Sequence, residues 1–210
     1  PFEPRIVGPV REMFVGLADN LDPKWQQSFQ NIDEAILDSE FVADFQAELP
    51  ALHALIRNTC SITMLTGSQK INVVPPTAVA ELDCRILPDQ DADEFLEGIH
   101  ARIDDDQIEV EEIMLFSAAA TSSDTPFYSL LVQKTLEHFP GAGVVPSVLG
   151  GFTDSHFFRD IGIASYGYIP SIRTSAQSSG VHGNNERIGI EAFNKSVQVM
   201  IEIVESFATD

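Results

Sequence analysis

Apolar residues along the chain change period twice, and each change marks a change of structure. Val10, Met13, Phe14 and Leu17 recur at helical spacing after Pro9. Trp25, Phe29, Ile32 and Ile36 do the same after Asp22 and Pro23, and a third segment carries Phe41 and Phe45 before Pro50 interrupts it. Such spacing gives each helix one apolar stripe, so a helical block is predicted over about 9–56. From Asn58 the period becomes two. Cys60, Ile62 and Met64 alternate with Thr59, Ser61 and Thr63, and Ala80, Leu82, Cys84 and Ile86 alternate with Glu81, Asp83 and Arg85. Two strands of a sheet with one wet face are predicted there.

Asp91 with Glu94 three residues on is a capping box, opening a helix whose inner face is Phe95, Leu96, Ile99 and Ile103. A further strand is predicted over 108–116. After the small, polar stretch 117–124 the pattern reads helix, strand, helix, strand, helix. Thr125 and Pro126 open the first helix, 144–149 and 163–167 are the strands, and Ile190, Phe193, Val197, Ile201 and Val204 line the last helix. Alternation of this kind predicts a mostly parallel sheet. The chain thus divides into 1–117, α+β with an antiparallel sheet and a helical insertion at about 9–56, and 118–210, a partial α/β segment.

Composition narrows the function. With 210 residues, 44% of them hydrophobic, the chain can bury a substantial core. A formal charge of −20 with only 12 lysines and arginines argues against a nucleic-acid partner, since phosphate neutralisation needs cations. No apolar run approaches the roughly 20 residues that cross a bilayer, so no membrane partner is expected. The opening Pro1-Phe2-Glu3-Pro4 reads as the interior of a longer chain. Cys60 and Cys84 both fall on the apolar phase of a strand, which favours buried free thiols over a disulfide and hence a reducing, cytoplasmic compartment.

Chemistry-bearing residues concentrate between Gly150 and Gly189. Gly150 and Gly151 permit a tight bend of positive φ or a close backbone approach. Thr153, Asp154, Ser155 and His156 follow, with Asp154 placed to cap a helix beginning at Ser155. His182 lies in a polar loop before Gly183, and its ring either bonds its own turn or projects into a cleft. Eleven carboxylates between Asp89 and Glu112 face one arginine. Neighbours in a strand point to opposite faces, so Glu111 and Glu112 read as a solvated acidic surface. A serine hydrolase using Ser165 is disfavoured, because Ile163 stands where a nucleophile elbow needs glycine.

Gly150-Gly151-Phe152-Thr153-Asp154-Ser155, followed by His182-Gly183-Asn184-Asn185-Glu186 and an amphipathic helix, resembles the end of an M20-type metallopeptidase. The stretch from Thr66 to Pro75, with Lys70, Asn72 and Pro75, and the stretch Asp83-Cys84-Arg85 to Pro88 are similar to the lid, or dimerisation, domain of that family. The opening residues and the helical insertion look like its carboxypeptidase S and aminoacylase branch.

The resemblance implies a ferredoxin-like lid over 1–117 and the last part of a zinc hydrolase catalytic domain over 118–210. It implies hydrolysis of N-acyl amino acids or short peptides with two zinc ions in the full-length enzyme, and a homodimer formed through the lid. His182 would be a metal ligand. Asn72, otherwise an Asx-turn residue, would help hold the substrate carbonyl. Gly151, Thr153, Asp154, Ser155 and His156 would form a substrate-binding turn. His156 departs from the arginine common in relatives, which leaves Arg173 or Arg159 to meet a carboxylate. The remaining ligands and the general base precede the lid in that family, so this chain alone is expected to be inactive and to hold zinc weakly or not at all. A non-catalytic dimerisation or binding module is the alternative.

Overall fold

The computed structural model describes residues 2–116, 118–178 and 180–209. Two compact units emerge, one of 1–120 with 145–163 and the other of 121–144 with 164–210.

In the first unit the helical block forms as α1 (Gly8–Ala18), α2 (Pro23–Gln30), α3 (Ile32–Ala35), α4 (Ser39–Glu48) and α5 (Pro50–His53), with a 3₁₀ turn at Ala54–Ile56. The side chains of Asp22 and Asp38 accept from the N–H groups of Lys24 and Glu40 and so start α2 and α4. Asn31 breaks what the spacing predicts as one helix into α2 and α3. Phe14, Phe29 and Phe45 are fully buried and meet edge to face, with centroids 4.8 to 5.8 Å apart. Burial of each such ring contributes about 1.5–3 kcal/mol, which makes this aromatic cluster the main anchor of the unit. Val145 and Val148 pack against it.

The two predicted strands pair antiparallel as β1 (Thr59–Thr66) and β2 (Val79–Arg85). A bulge between Ile62 and Met64 leaves Thr63 without an opposite residue, and its hydroxyl donates to the Glu81 carbonyl. Leu65, opposite Ala80, therefore takes the face that simple alternation gives to Met64. Cys60 lies opposite Cys84 and the two form a disulfide. This corrects the reading of both as free thiols, and with it the ground for a reducing compartment: directly opposed residues of an antiparallel pair bring their Cβ atoms within disulfide reach. Asn58, buried beneath the hairpin, accepts from Leu87 N–H at 2.8 Å and donates to Gln90 at 2.7 Å. Asp91 caps α6 (Ala92–Ile103) through Glu94 N–H, as the capping box predicts.

In the second unit, α7 (Pro126–His138) is capped by Thr125 and packs antiparallel on α10 (Ile190–Thr209). Phe127 at the start of α7 meets Phe207, and His138 at its end meets Lys195. Leu131, Val199 and Ile203 form the buried seam. The stripe Ile190, Phe193, Val197, Ile201 and Val204 that lines this helix is exposed. The helix is apolar on more than one side, and α7 can cover only the stripe that carries Val199 and Ile203. At the end of α7, His138 Nε2 pairs with Glu202 at 2.7 Å and Nδ1 with Lys195 at 2.8 Å. The His138 bond holds the Glu202 carboxyl below its ordinary range.

The α+β character is as expected, but the strand predicted at 108–116 and the parallel ladder predicted from 144–149 and 163–167 do not form. Among the described residues the one sheet is β1 with β2. An apolar run becomes a strand only when a neighbouring strand satisfies its N–H and C=O groups in register, and among the described residues no strand pairs with these segments.

Candidate functional site

Asn72 sits in the connection between β1 and β2, where Ser68 Oγ both donates to the Lys70 carbonyl and accepts from the Lys70 N–H. Its side chain is exposed and makes no hydrogen bond among the described residues, so the Asx-turn role is not what holds it.

The glycine turn lies in the first unit. Gly150 and Gly151 have ordinary φ, and a Cβ on either would meet only side chains, Leu55 at 3.6 Å and Leu149 at 3.7 Å. Neither alternative that glycine permits, a positive-φ bend or a close backbone approach, is found here. Thr153 and Asp154 are exposed and Ser155 is half-buried. α8 (Ser155–Asp160) begins here without a side-chain bond from Asp154; the Thr153 hydroxyl accepts from Ser155 N–H at 3.4 Å instead. Asp154 is itself in helical conformation, so its carboxylate cannot take the usual capping geometry. The helix closes on Gly162 at φ +81°, where Gly162 and Ile163 N–H groups bond back to Arg159 and Phe158.

His156 is 7% exposed, packed by Phe116, Phe152 and Phe157 with ring centroids 3.7 to 4.8 Å away. Its Nδ1 lies 3.1 Å from the Thr153 carbonyl. A carbonyl only accepts, so Nδ1 carries the proton. Nε2 is buried without a partner, which costs about 1–3 kcal/mol for an unsatisfied group. Arg173, the expected carboxylate reader, is exposed in the second unit.

His182 occupies the left-handed region at φ +62°, unusual for a side chain with Cβ. Its N–H donates to Glu186 Oε2 at 3.2 Å, and the Gly183 and Glu186 N–H groups bond to Gly180 and Gly183 carbonyls. A Cβ on Gly183 would come within 3.1 Å of the Gly180 carbonyl oxygen, so a side chain there would crowd this tight turn. Strained backbone of this kind persists where surrounding bonds over-determine it, commonly at functional sites. The imidazole is exposed and neither ring nitrogen is engaged among the described residues. It is therefore available as a single metal ligand. No group of three or more histidine, cysteine, aspartate or glutamate side chains gathers among the described residues, whereas a zinc site takes three or four protein ligands.

Sequence reasoning missed the disulfide and the Lys195-His138-Glu202 bridge. The even register of Cys60 and Cys84 in facing strands signals the first. Only the pairing of α7 with α10 reveals the second.

Residues 30–111 match the peptidase dimerisation domain of the M20 family. The N-fatty-acyl-amino acid synthase/hydrolase PM20D1 of Xenopus tropicalis is 29% identical over 97% of this chain and 40% of its own length. The probable carboxypeptidase S-like 2 of Dictyostelium discoideum is 23% identical over 75% of this chain and 31% of its own length. The M20 family metallo-carboxypeptidase Sso-CP2 of Sulfolobus solfataricus shares the fold, with a TM-score of 0.60 at 17% identity over 96% of this chain and 45% of that one. The chain thus spans about two fifths of the length of the first relative. Residues 30–111 thus carry a peptidase dimerisation domain of the M20 type, and similarity to M20 proteins runs on through the C-terminal segment.

Proposed function

We propose that the chain supplies the lid, residues 1–117, and the closing catalytic segment, residues 118–210, of a zinc-dependent amidohydrolase that cleaves N-acyl amino acids or short peptides. The observation that carries this reading is His182: an exposed imidazole with neither nitrogen engaged among the described residues, on a strained turn tied to Glu186. Spending backbone strain to present a lone histidine is hard to explain by stability alone. His182 would be one ligand of a two-zinc centre whose other ligands and general base belong to the length of the relatives that this chain does not span. Bound zinc polarises a scissile carbonyl and lowers the pKa of an attacking water to about 7.

The chain's own residues bind and orient. Asn72, with an unengaged amide, donates to the developing oxyanion. Thr153, Asp154 and Ser155 present hydroxyl and carboxylate groups to the substrate backbone, and Gly151 keeps that approach clear. His156, buried beneath the turn, supports it through the Nδ1 bond to the Thr153 carbonyl, and Arg173 meets a substrate carboxylate through its two-pronged guanidinium. The exposed β1–β2 hairpin pairs two copies into a homodimer. A separate non-catalytic module finds no support in the relatives, whose similarity continues past residue 111 into the C-terminal segment.

Activity assays test the reading. Extended by the upstream length of its relatives, the protein should hydrolyse N-acyl amino acids with zinc and lose at least about 100-fold in activity on His182→Ala, as loss of a ligand weakens both metal binding and polarisation. The chain alone should hydrolyse none. Zinc-dependent turnover that survives His182→Ala overturns the assignment.

A further inference from the structure

Both faces of the β1–β2 arm are open to solvent. No residue from Ser61 to Ile86 is buried, and Ile62, Met64, Leu65, Val79 and Leu82 are all about half or more exposed. Hydrophobic burial is what normally fixes strand register, and a two-sided exposed pair slips easily. An isolated two-stranded hairpin is also marginal in water. Something else must hold Ser61 opposite Asp83 and Leu65 opposite Ala80 across a bulge at Thr63.

Two features at the foot of the arm do so. Asn58 ties the start of β1 to Leu87 and Gln90. Two residues further out, the Cys60–Cys84 disulfide joins directly opposed positions 24 apart in sequence and closes the intervening chain into one ring. Within one copy, and among the described residues, everything beyond it, including Asn72 at the far connection, is fixed by the ladder, the Thr63 bond to the Glu81 carbonyl, local turn bonds at Ser68 and Lys70, and this ring. Both cysteines are half-buried, so a reductant reaches them without unfolding the aromatic core.

We propose that the Cys60–Cys84 disulfide is a redox staple that sets the register of the Asn72-bearing arm, so that the arm is ordered in an oxidising compartment and frays when a dithiol reduces it. In the reduction, the dithiol's thiolate attacks one cysteine sulfur and breaks the S–S bond. That attack expels the other cysteine as a thiolate and leaves a mixed disulfide; the reagent's second thiolate then attacks the reagent-side sulfur and displaces the first cysteine, leaving two cysteine thiols and the reagent as its own cyclic disulfide. Compartments that preserve such bonds are the secretory pathway, the periplasm and the extracellular space. Any effect on turnover rests on the role proposed above for Asn72; order in the arm does not.

Amide hydrogen exchange on the whole chain tests this, comparing oxidised protein, protein reduced with dithiothreitol and the C60S/C84S double variant. Alkylation and mass measurement should find no free thiol before reduction and two after it. Exchange at 61–66 and 79–83 should then accelerate at least about tenfold while α1, α2 and α4 keep their protection, as a local opening requires. Free thiols in protein isolated from an oxidising compartment, unchanged exchange in the arm after reduction, or loss of protection throughout the helices would each overturn the proposal. If arm order responds as expected but activity of the extended enzyme does not, the staple stands and the Asn72 reading fails.

Discussion

The backbone N–H of His182 donates to the carboxylate of Glu186 at 3.2 Å, and this bond closes the turn that holds His182 at φ +62°. A left-handed residue with Cβ carries about 1–2 kcal/mol of steric cost that glycine avoids. His182→Gly should therefore leave thermal stability unchanged or raise it by up to about 1 kcal/mol while abolishing the zinc response. A calorimetric melt distinguishes this from a structural histidine, whose loss would lower the midpoint.

Gly16 faces Val145, and a Cβ at Gly16 would overlap that side chain. Gly16→Ala should cost about 1–3 kcal/mol by overpacking, although alanine favours helix over glycine. Adding Val145→Ala should recover much of the loss, since neighbours that clash are coupled. Urea denaturation of the single and double variants measures both.

Phe45 touches Phe14, Trp25, Phe29, Phe41 and His53. Truncation to alanine should cost about 3–5 kcal/mol, the largest single-residue loss expected in the first unit. A shift of the same size from Phe157→Ala, a half-exposed ring, would show that the core is misplaced.

Two pH windows follow from the first unit. Burial, and then the positive charge of Arg57, push the His53 pKa below its usual value. The unfolded chain then binds the proton more readily, so stability is full above the unfolded pKa of about 6.5 and falls as pH drops through the folded value. His53→Phe should remove this window from a plot of melting temperature against pH. Asp33, bonded to Arg11, and Asp89, bonded to Arg5, are held below their ordinary range. Their contribution is present above about pH 4 and is lost in stronger acid. Both pairs are exposed, so raising the salt concentration should shrink that second window.

The helical insertion was legible because Trp25, Phe29 and Phe45 recur at spacings that only a helix turns to one side, and Asp22, Asp38 and Asp91 cap where short acidic side chains reach N–H groups. The hairpin was legible from alternation, but not the bulge at Thr63, since inserting one residue preserves composition and changes only phase. The disulfide depends on that register, which burial does not specify here. The inward face of α10 was not legible because the helix has apolar residues on several sides, and only the partner helix decides which stripe it takes. Of the site, the exposed Asn72 and the anchored His182 loop follow from local sequence. The orphaned His156 Nε2 does not, because it depends on Phe116, forty residues away in sequence, closing over a ring already flanked by Phe152 and Phe157.

Zinc titration of the chain followed by the histidine ring resonances tests the central assignment most directly. His182 should respond first as zinc is added, weakly because a single imidazole lacks the partners of a closed site, and His182→Ala should remove that response while leaving the helical core unchanged. A first response at His138 or His156, with His182 silent, would contradict the assignment of His182 as the metal ligand.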